Sequence, residues 1–190
     1  MKLKRIYMTG IAMCSCLLGH AQEARVEQSV WGIQAGLLSV WGYNESRLAD
    51  AVALRSEAGL VSSFLYSNSS IFGSTCRYAV APELAVEPRW YYNLAKRQVR
   101  GRRTAHNSAN YFSLRTSFNP KWLLVSDPDT RPANGLTVSP MWGIRRHYGT
   151  HFSLEAGLGA AYRHIFGEKG GVWSRDKFVL RAHFCIGYTF

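Results

Sequence analysis

The stretch Phe178-Val179-Leu180-Arg181-Ala182-His183-Phe184-Cys185-Ile186-Gly187-Tyr188-Thr189-Phe190 closes the chain with a sustained alternation. Phe178, Leu180, Ala182, Phe184, Ile186, Tyr188 and Phe190 share one parity, and Lys177, Arg181, His183 and Gly187 share the other. Successive side chains of a strand point to opposite faces, whereas a helix would spread both sets around its circumference. The segment therefore reads as a β-strand with one oily face and one small or polar face.

The same period recurs toward the N-terminus. Phe152, Leu154, Ala156, Leu158, Ala160 and Tyr162 oppose Ser153, Glu155, Gly157, Gly159 and Arg163. Val138, Trp142 and Ile144 oppose Thr137, Ser139 and Arg145, and Phe112, Leu114 and Phe118 oppose Tyr111, Ser113 and Arg115. Farther back, Tyr78, Val80, Leu84, Val86, Trp90 and Tyr92 alternate with Ala79, Ala81, Glu83, Ala85, Glu87 and Arg89. Val52, Leu54, Ala58, Leu60 and Phe64 face away from Arg55, Glu57 and Gly59. A first strand from Gln28 sets Trp31, Ile33, Ala35, Leu37 and Trp41 against Gly32, Gln34, Gly36 and Gly42, and a short one at Trp122 and Leu124 brings the count to eight. Turn signals at Asn119-Pro120 and Tyr148-Gly149-Thr150 alternate with longer polar connections at 94–107, 126–135 and 166–175.

The length of 190 residues with 47% hydrophobic residues allows one domain, and 13% aromatics with only 18% charged residues exclude a disordered chain. A soluble barrel or sandwich would cover its polar faces with Lys, Glu and Asp. Here the polar faces carry Gly, Ala and Ser, with Arg55, Arg89, Arg115, Arg145, Arg163 and Arg181 set against Glu57, Glu83, Glu87 and Glu155. Small residues with matched charges suit the lumen of a closed eight-stranded barrel, and aromatic-tipped apolar faces suit lipid. The expectation is an all-β, eight-stranded antiparallel transmembrane β-barrel whose ten lumen charges form a packed ion-pair network. Pro82, Pro88 and Pro140 lack a ladder N–H, so bulges or strand ends are expected there. Arg146 and His164 share the lipid face in register, at strand ends where headgroups would solvate them.

The N-terminus reads as an address. Lys2, Lys4 and Arg5 precede a mostly apolar run from Ile6 to Leu18, and Gly19-His20-Ala21 offers small residues at a cleavage site before Gln22. A signal peptide over 1–21 and a barrel over 22–190 follow. The leader carries three of the basic residues, so the mature chain stays basic from a whole-chain formal charge of +11. Outside the leader no apolar run is long enough for a spanning helix. Cys14, Cys16, Cys76 and Cys185 show no metal-ligand spacing, so no metal and no cofactor are expected. Cleavage after Ala21 is preferred to lipidation at Cys14 or Cys16, whose flanks fit a lipoprotein site poorly.

The terminus Gly187-Tyr188-Thr189-Phe190, together with Ala53-Leu54-Arg55-Ser56-Glu57-Ala58-Gly59-Leu60, Glu87-Pro88-Arg89-Trp90-Tyr91-Tyr92-Asn93-Leu94 and Trp142-Gly143-Ile144-Arg145-Arg146, resembles the small outer-membrane β-barrel proteins of Bacteroidetes over nearly the whole mature chain. The resemblance implies a cell outer-membrane location, outer-membrane lipid around the barrel, and Tyr188 and Phe190 as the signal read by the barrel-assembly machinery. It brings no assigned chemistry. A monomer with a structural or surface-binding role is expected, with no nucleic-acid partner.

Three side-chain groups carry alternative chemistry. His151-Phe152-Ser153 resembles the His-x-Ser pair of small outer-membrane lipid A deacylases, although the register points both residues at the lumen near a turn. The lumen charges would line a narrow channel if they were not packed, and packing is the preferred reading because side chains fill an eight-stranded interior. Lys96, Arg97, Arg100, Arg102 and Arg103 form the densest basic run; strand order places it outside the cell, where lipopolysaccharide phosphates are candidate partners. A disulfide between Cys76 and Cys185 is permitted by the exported compartment, but spacing does not establish it.

Overall fold

The computed structural model describes residues 24–69, 73–122, 125–126, 134–166 and 177–190. The leader read over 1–21 lies outside them, as do the Cys76 side chain and most of the connections at 126–135 and 166–175. The described chain is almost entirely β: β1 (Ser29–Gly36), β2 (Ser39–Ala49), β3 (Val52–Ser69), β4 (Gly73–Trp90), β5 (Asn110–Asn119), β6 (Val125–Ser126), β7 (Asn134–Tyr148), β8 (Phe152–Phe166) and β9 (Lys177–Thr189). Eight of these pair antiparallel with their neighbours in chain order, and β1 pairs with both β2 and β9, so the sheet closes on itself. Closure leaves no open edge, and the eight long strands form an up-and-down barrel. The two-residue β6 lies beside β4 at Ala79 and Val80 and takes no place in the ring.

The count of eight emerges from a different partition of the chain. The segment from Gln28 through Gly42 is two strands, because Leu37 and Leu38 make a two-residue hairpin between β1 and β2. That turn reverses parity: Val40 points outward, and Trp41, expected on the oily face, is buried inside at 5% exposure. Trp122 is exposed and outside any strand, and Leu124 lies outside the described residues.

Pro88 and Pro140 do not shift the register. β4 pairs with β5 on both sides of Pro88, from Val86↔Thr116 to Arg89↔Ser113, and β7 pairs with β8 on both sides of Pro140, from Val138↔Tyr162 to Met141↔Gly159. The ladder skips the residue without an N–H and resumes in step. Pro82 pairs with Leu60 on one side; on the other it falls between the β6 and β5 pairings, where Asn119 Nδ2 donates to its carbonyl at 3.2 Å. A register shift sits instead at Arg47/Ala49, against the β2–β3 turn.

The strand directions define two ends. Residues 24–28, the Asp50-Ala51 turn, the 91–109 connection, the Gly149 turn and Phe190 lie at one, here called the terminal end. The Leu37-Leu38 turn and the connections after β3, β5 and β8 leave from the other, the loop end. At the terminal end the 91–109 connection forms a short helix, α1 (Leu94–Val99), and a 3-10 turn (Ala105–Asn107). A small apolar cluster of Val26, Ala53, Tyr91, Leu94, Ala109 and Tyr111 seals it over the barrel mouth.

Candidate functional site

Burial is inverted relative to a water-soluble domain. Arg55, Glu57, Glu83, Glu87, Arg89, Arg115, Arg145 and Glu155 are buried, while Trp31, Leu84, Trp90, Phe112, Leu158, Leu180 and Phe184 are exposed. Inward residues come from one parity of each strand, so alternation alone delivers both sets. Outward aromatics gather toward the two ends: Trp90, Tyr92, Phe112, Tyr148, Phe152 and Tyr188 near the terminal end, and Tyr78, Phe118, Tyr162, Phe166 and Phe178 near the loop end. Aliphatic residues such as Val40, Leu60, Leu84, Leu114 and Ile186 lie between them. From Phe152 to Tyr162 the strand advances roughly 33 Å at ~3.3 Å per residue, or about 25 Å along the axis for a ~40° tilt.

Inside, the charges form one connected network. Arg89 crosses the barrel from β4 to place its fork on Glu155 of β8, at 2.7 and 3.0 Å, and makes a single bond to Glu87 at 2.9 Å. Glu155 also accepts from Tyr111 Oη at 2.8 Å and lies 3.1 Å from His183 Nε2. Glu57 takes Arg55 at 2.5 Å and Arg115, and Arg115 reaches Glu83 at 2.7 Å. Arg55 donates to Gln34 as well, and its guanidinium lies 3.8 Å from the centre of the Tyr43 ring. Such pairs tolerate burial because most lone pairs are filled. The same-strand neighbours Arg55 with Glu57 and Glu87 with Arg89 do meet, but the bidentate contact of Arg89 is across the lumen.

Glu45 is the network residue that sequence reading passed over. It is fully buried and accepts from Arg145 Nη1 at 2.7 Å, Tyr91 Oη at 2.7 Å and Asn107 Nδ2 at 2.6 Å. The signal was present: once the hairpin at Leu37-Leu38 reverses parity, Trp41, Tyr43 and Glu45 form one inward row. Burial, and after it the Glu45 carboxylate, push the Tyr91 phenol above its ordinary value, so Tyr91 stays a donor. Asn107, held at a left-handed φ of 59°, also accepts from the Glu27 N–H at 2.8 Å, so the N-terminal segment, the 3-10 turn and the lumen are tied through one side chain.

Inner-face glycines make room for rings. A Cβ on Gly143 would stand 2.4 Å from Tyr111 Cζ, and one on Gly32 would stand 2.6 Å from Tyr43 Oη. Both tyrosines therefore lie flat on a neighbouring strand where they can reach the charges.

Arg163 and Arg181 stand apart from this packed half. They line an open cavity of about 630 Å³ in the loop-end half, together with Ser39, Trp41, Glu83 and His183. Arg163 donates to Thr137 Oγ1 at 3.2 Å and Asn119 Oδ1 at 3.4 Å.

Lys96, Arg97, Arg100, Arg102 and Arg103 occupy α1 and the segment after it, at the terminal end. This corrects the placement expected from sequence: splitting the first strand adds one reversal ahead of this connection, so the basic run shares its end with both chain termini. Partial burial, then the nearby Arg102 charge, lowers the Arg97 guanidinium below its ordinary value. Arg146 faces outward at the same rim and donates to Asn110 Oδ1 at 2.6 Å.

His151 and Ser153 are not brought together. Ser153 is buried inside the barrel, whereas His151 is an exposed turn residue stacked on outward Tyr188, with Nδ1 2.8 Å from the Thr189 carbonyl oxygen. The shared lumen orientation expected for the pair fails at His151, which precedes the strand. Cys185 is buried with a free thiol, on the lumen wall beside His183. Among the described residues no His, Cys, Asp or Glu group has metal-binding geometry. The chain matches no known protein family, no characterised protein and no solved structure.

Proposed function

We propose that this chain is an outer-membrane β-barrel that carries its apolar exterior in lipid and has a structural or surface-binding role. The observation that carries the reading is the inversion itself: charges fill the interior, and an apolar outside has aromatics concentrated in two zones about 25 Å apart along the axis. That spacing is that of a hydrocarbon core with interfacial girdles. In water such an outside would be a large contiguous apolar patch, which soluble monomers avoid. The aromatic terminus Tyr188 and Phe190, both outward, supports delivery by the barrel-assembly machinery, and the leader-like residues 1–21 support export.

In this reading the terminal end faces the periplasm and the loop end faces the exterior. The basic residues from Lys96 to Arg103 then meet inner-leaflet phosphates, and lipopolysaccharide meets the other rim. Expression of the full chain tests the proposal. The protein is expected in the outer-membrane fraction, with gel mobility that changes on boiling. Recovery as a soluble monomer without detergent would overturn it.

A further inference from the structure

Not every lumen arginine holds a carboxylate among the described residues. Arg55, Arg89, Arg115 and Arg145 each hold a carboxylate within 4.0 Å. Arg181, half-buried on β9, makes no hydrogen bond or ion pair with any described residue. The nearby carboxylate on the cavity wall, Glu83, is already taken by Arg115 at 2.7 Å and approached by Asn119 at 3.5 Å. An uncompensated cation withdrawn from bulk water is costly and is ordinarily paired.

Arg181 lines the cavity of about 630 Å³. Arg163 enters the same cavity, and so does Trp41, which is 5% exposed and whose Nε1–H has no acceptor among the described residues. His183 stands on the wall beside Arg181 in chain order. Its lining runs from the Leu37-Leu38 turn to His183, whose Nε2 lies 3.1 Å from Glu155 of the packed network.

We propose that this cavity binds a small oxyanion, a phosphate monoester or a carboxylate on a compact body, with Arg181 as its principal charge partner and Arg163 beside it. Guanidinium groups match such anions by paired charge-assisted hydrogen bonds. The volume admits a ligand of monosaccharide-phosphate size. The proposal depends on the interior alone, so it stands or falls independently of what surrounds the barrel.

The test uses the intact mature protein in a non-ionic detergent and chloride-free buffer. Inorganic phosphate and glucose 6-phosphate are the probes, and glucose is the neutral control. Calorimetric titration is expected to show saturable binding of both anions and none of glucose. Arg181→Gln is expected to weaken the anions by about tenfold or more, while Arg181→Lys keeps most of the affinity. A second readout covers folding. Without anion, Arg181→Gln is expected to melt above the parent, because it removes an unpaired cation; phosphate is expected to raise the melting temperature of the parent and leave that of the variant in place. No saturable binding to the parent, equal binding to Arg181→Gln, or a variant less stable than the anion-free parent would each overturn the proposal. The last outcome would mean that Arg181 is held by a partner within the chain.

Discussion

Glu155 is the acceptor on which the lumen network turns, and replacing it with glutamine gives a magnitude that the structure fixes. Arg89 and Glu155 are 1% and 4% exposed in their side chains, and the contact is bidentate at 2.7 and 3.0 Å. Glutamine keeps one acceptor and turns an NH₂ toward the guanidinium. Arg89 then retains its single bond to Glu87 and a Glu45 oxygen 4.0 Å away, Arg55 loses a carboxylate 3.5 Å away, and Tyr111 and His183 compete for what remains. Stranding a buried charge typically costs ~3–5 kcal/mol. Glu155→Gln should therefore destabilise the barrel by about that much.

Glu87→Gln gives the contrast. Arg89 keeps its fork on Glu155, and Arg115, 3.7 Å from Glu87, keeps Glu57 and Glu83, so the cost should be about 1.5–3 kcal/mol, that of one charged hydrogen bond. Urea titration of the refolded protein in detergent measures both, provided the slopes agree. A double-mutant cycle with Arg89→Met should find a larger coupling to Glu155, about 2–3 kcal/mol, than to Glu87, about 1–2 kcal/mol. The sequence alone favours the opposite order, because Glu87 and Arg89 are two apart on one strand face. If Glu87→Gln costs as much as Glu155→Gln, or if Arg89 and Glu155 are additive, the cross-lumen assignment is wrong.

Three further outcomes follow from particular contacts. Gly143→Val should destabilise by about 1–3 kcal/mol by driving a side chain into the Tyr111 ring, read in the same titration, and Gly101→Ala, with open space around it, should cost only its left-handed backbone strain. Asn107→Ala removes the link from the 3-10 turn to Glu45 and Glu27; amide exchange over residues 104–109 should accelerate about tenfold while the strands stay protected. Deleting Phe190 takes away an outward aromatic and the residue whose N–H bonds Trp31 at the β1–β9 seam; the heat-modifiable fraction recovered from membranes should fall, and an unchanged fraction would remove the role given to the terminus.

Alternation was sufficient to identify most strands and their inward faces, because parity is a local property and each inward charge is flanked by apolar neighbours. It failed where the local signal is silent. Leu37-Leu38 contains no Gly, Pro, Asn or Asp, so the hairpin between β1 and β2 is hidden inside an apolar run, and with it went Glu45 and the inward Trp41. The same missed reversal sent the basic segment to the wrong end, since each strand inverts the direction of all that follow. Charge partners were legible only as far as one strand reaches. Arg89 with Glu155 and Arg145 with Glu45 are set by the curvature and stagger of the closed sheet, which no window of sequence contains.

The lumen is two compartments, and the division bears on which roles the barrel can serve. At the terminal end Glu45, Asn107, Tyr91 and the apolar cluster around Val26 close the mouth, and Arg55, Arg89 and Glu155 fill the space beneath. A solute moving through would have to displace several charge-assisted bonds at once, each stronger than a neutral hydrogen bond. Arg181, which has no ion pair among the described residues, lines the other half, so within the proposed outer-membrane setting the closed mouth counts against conduction.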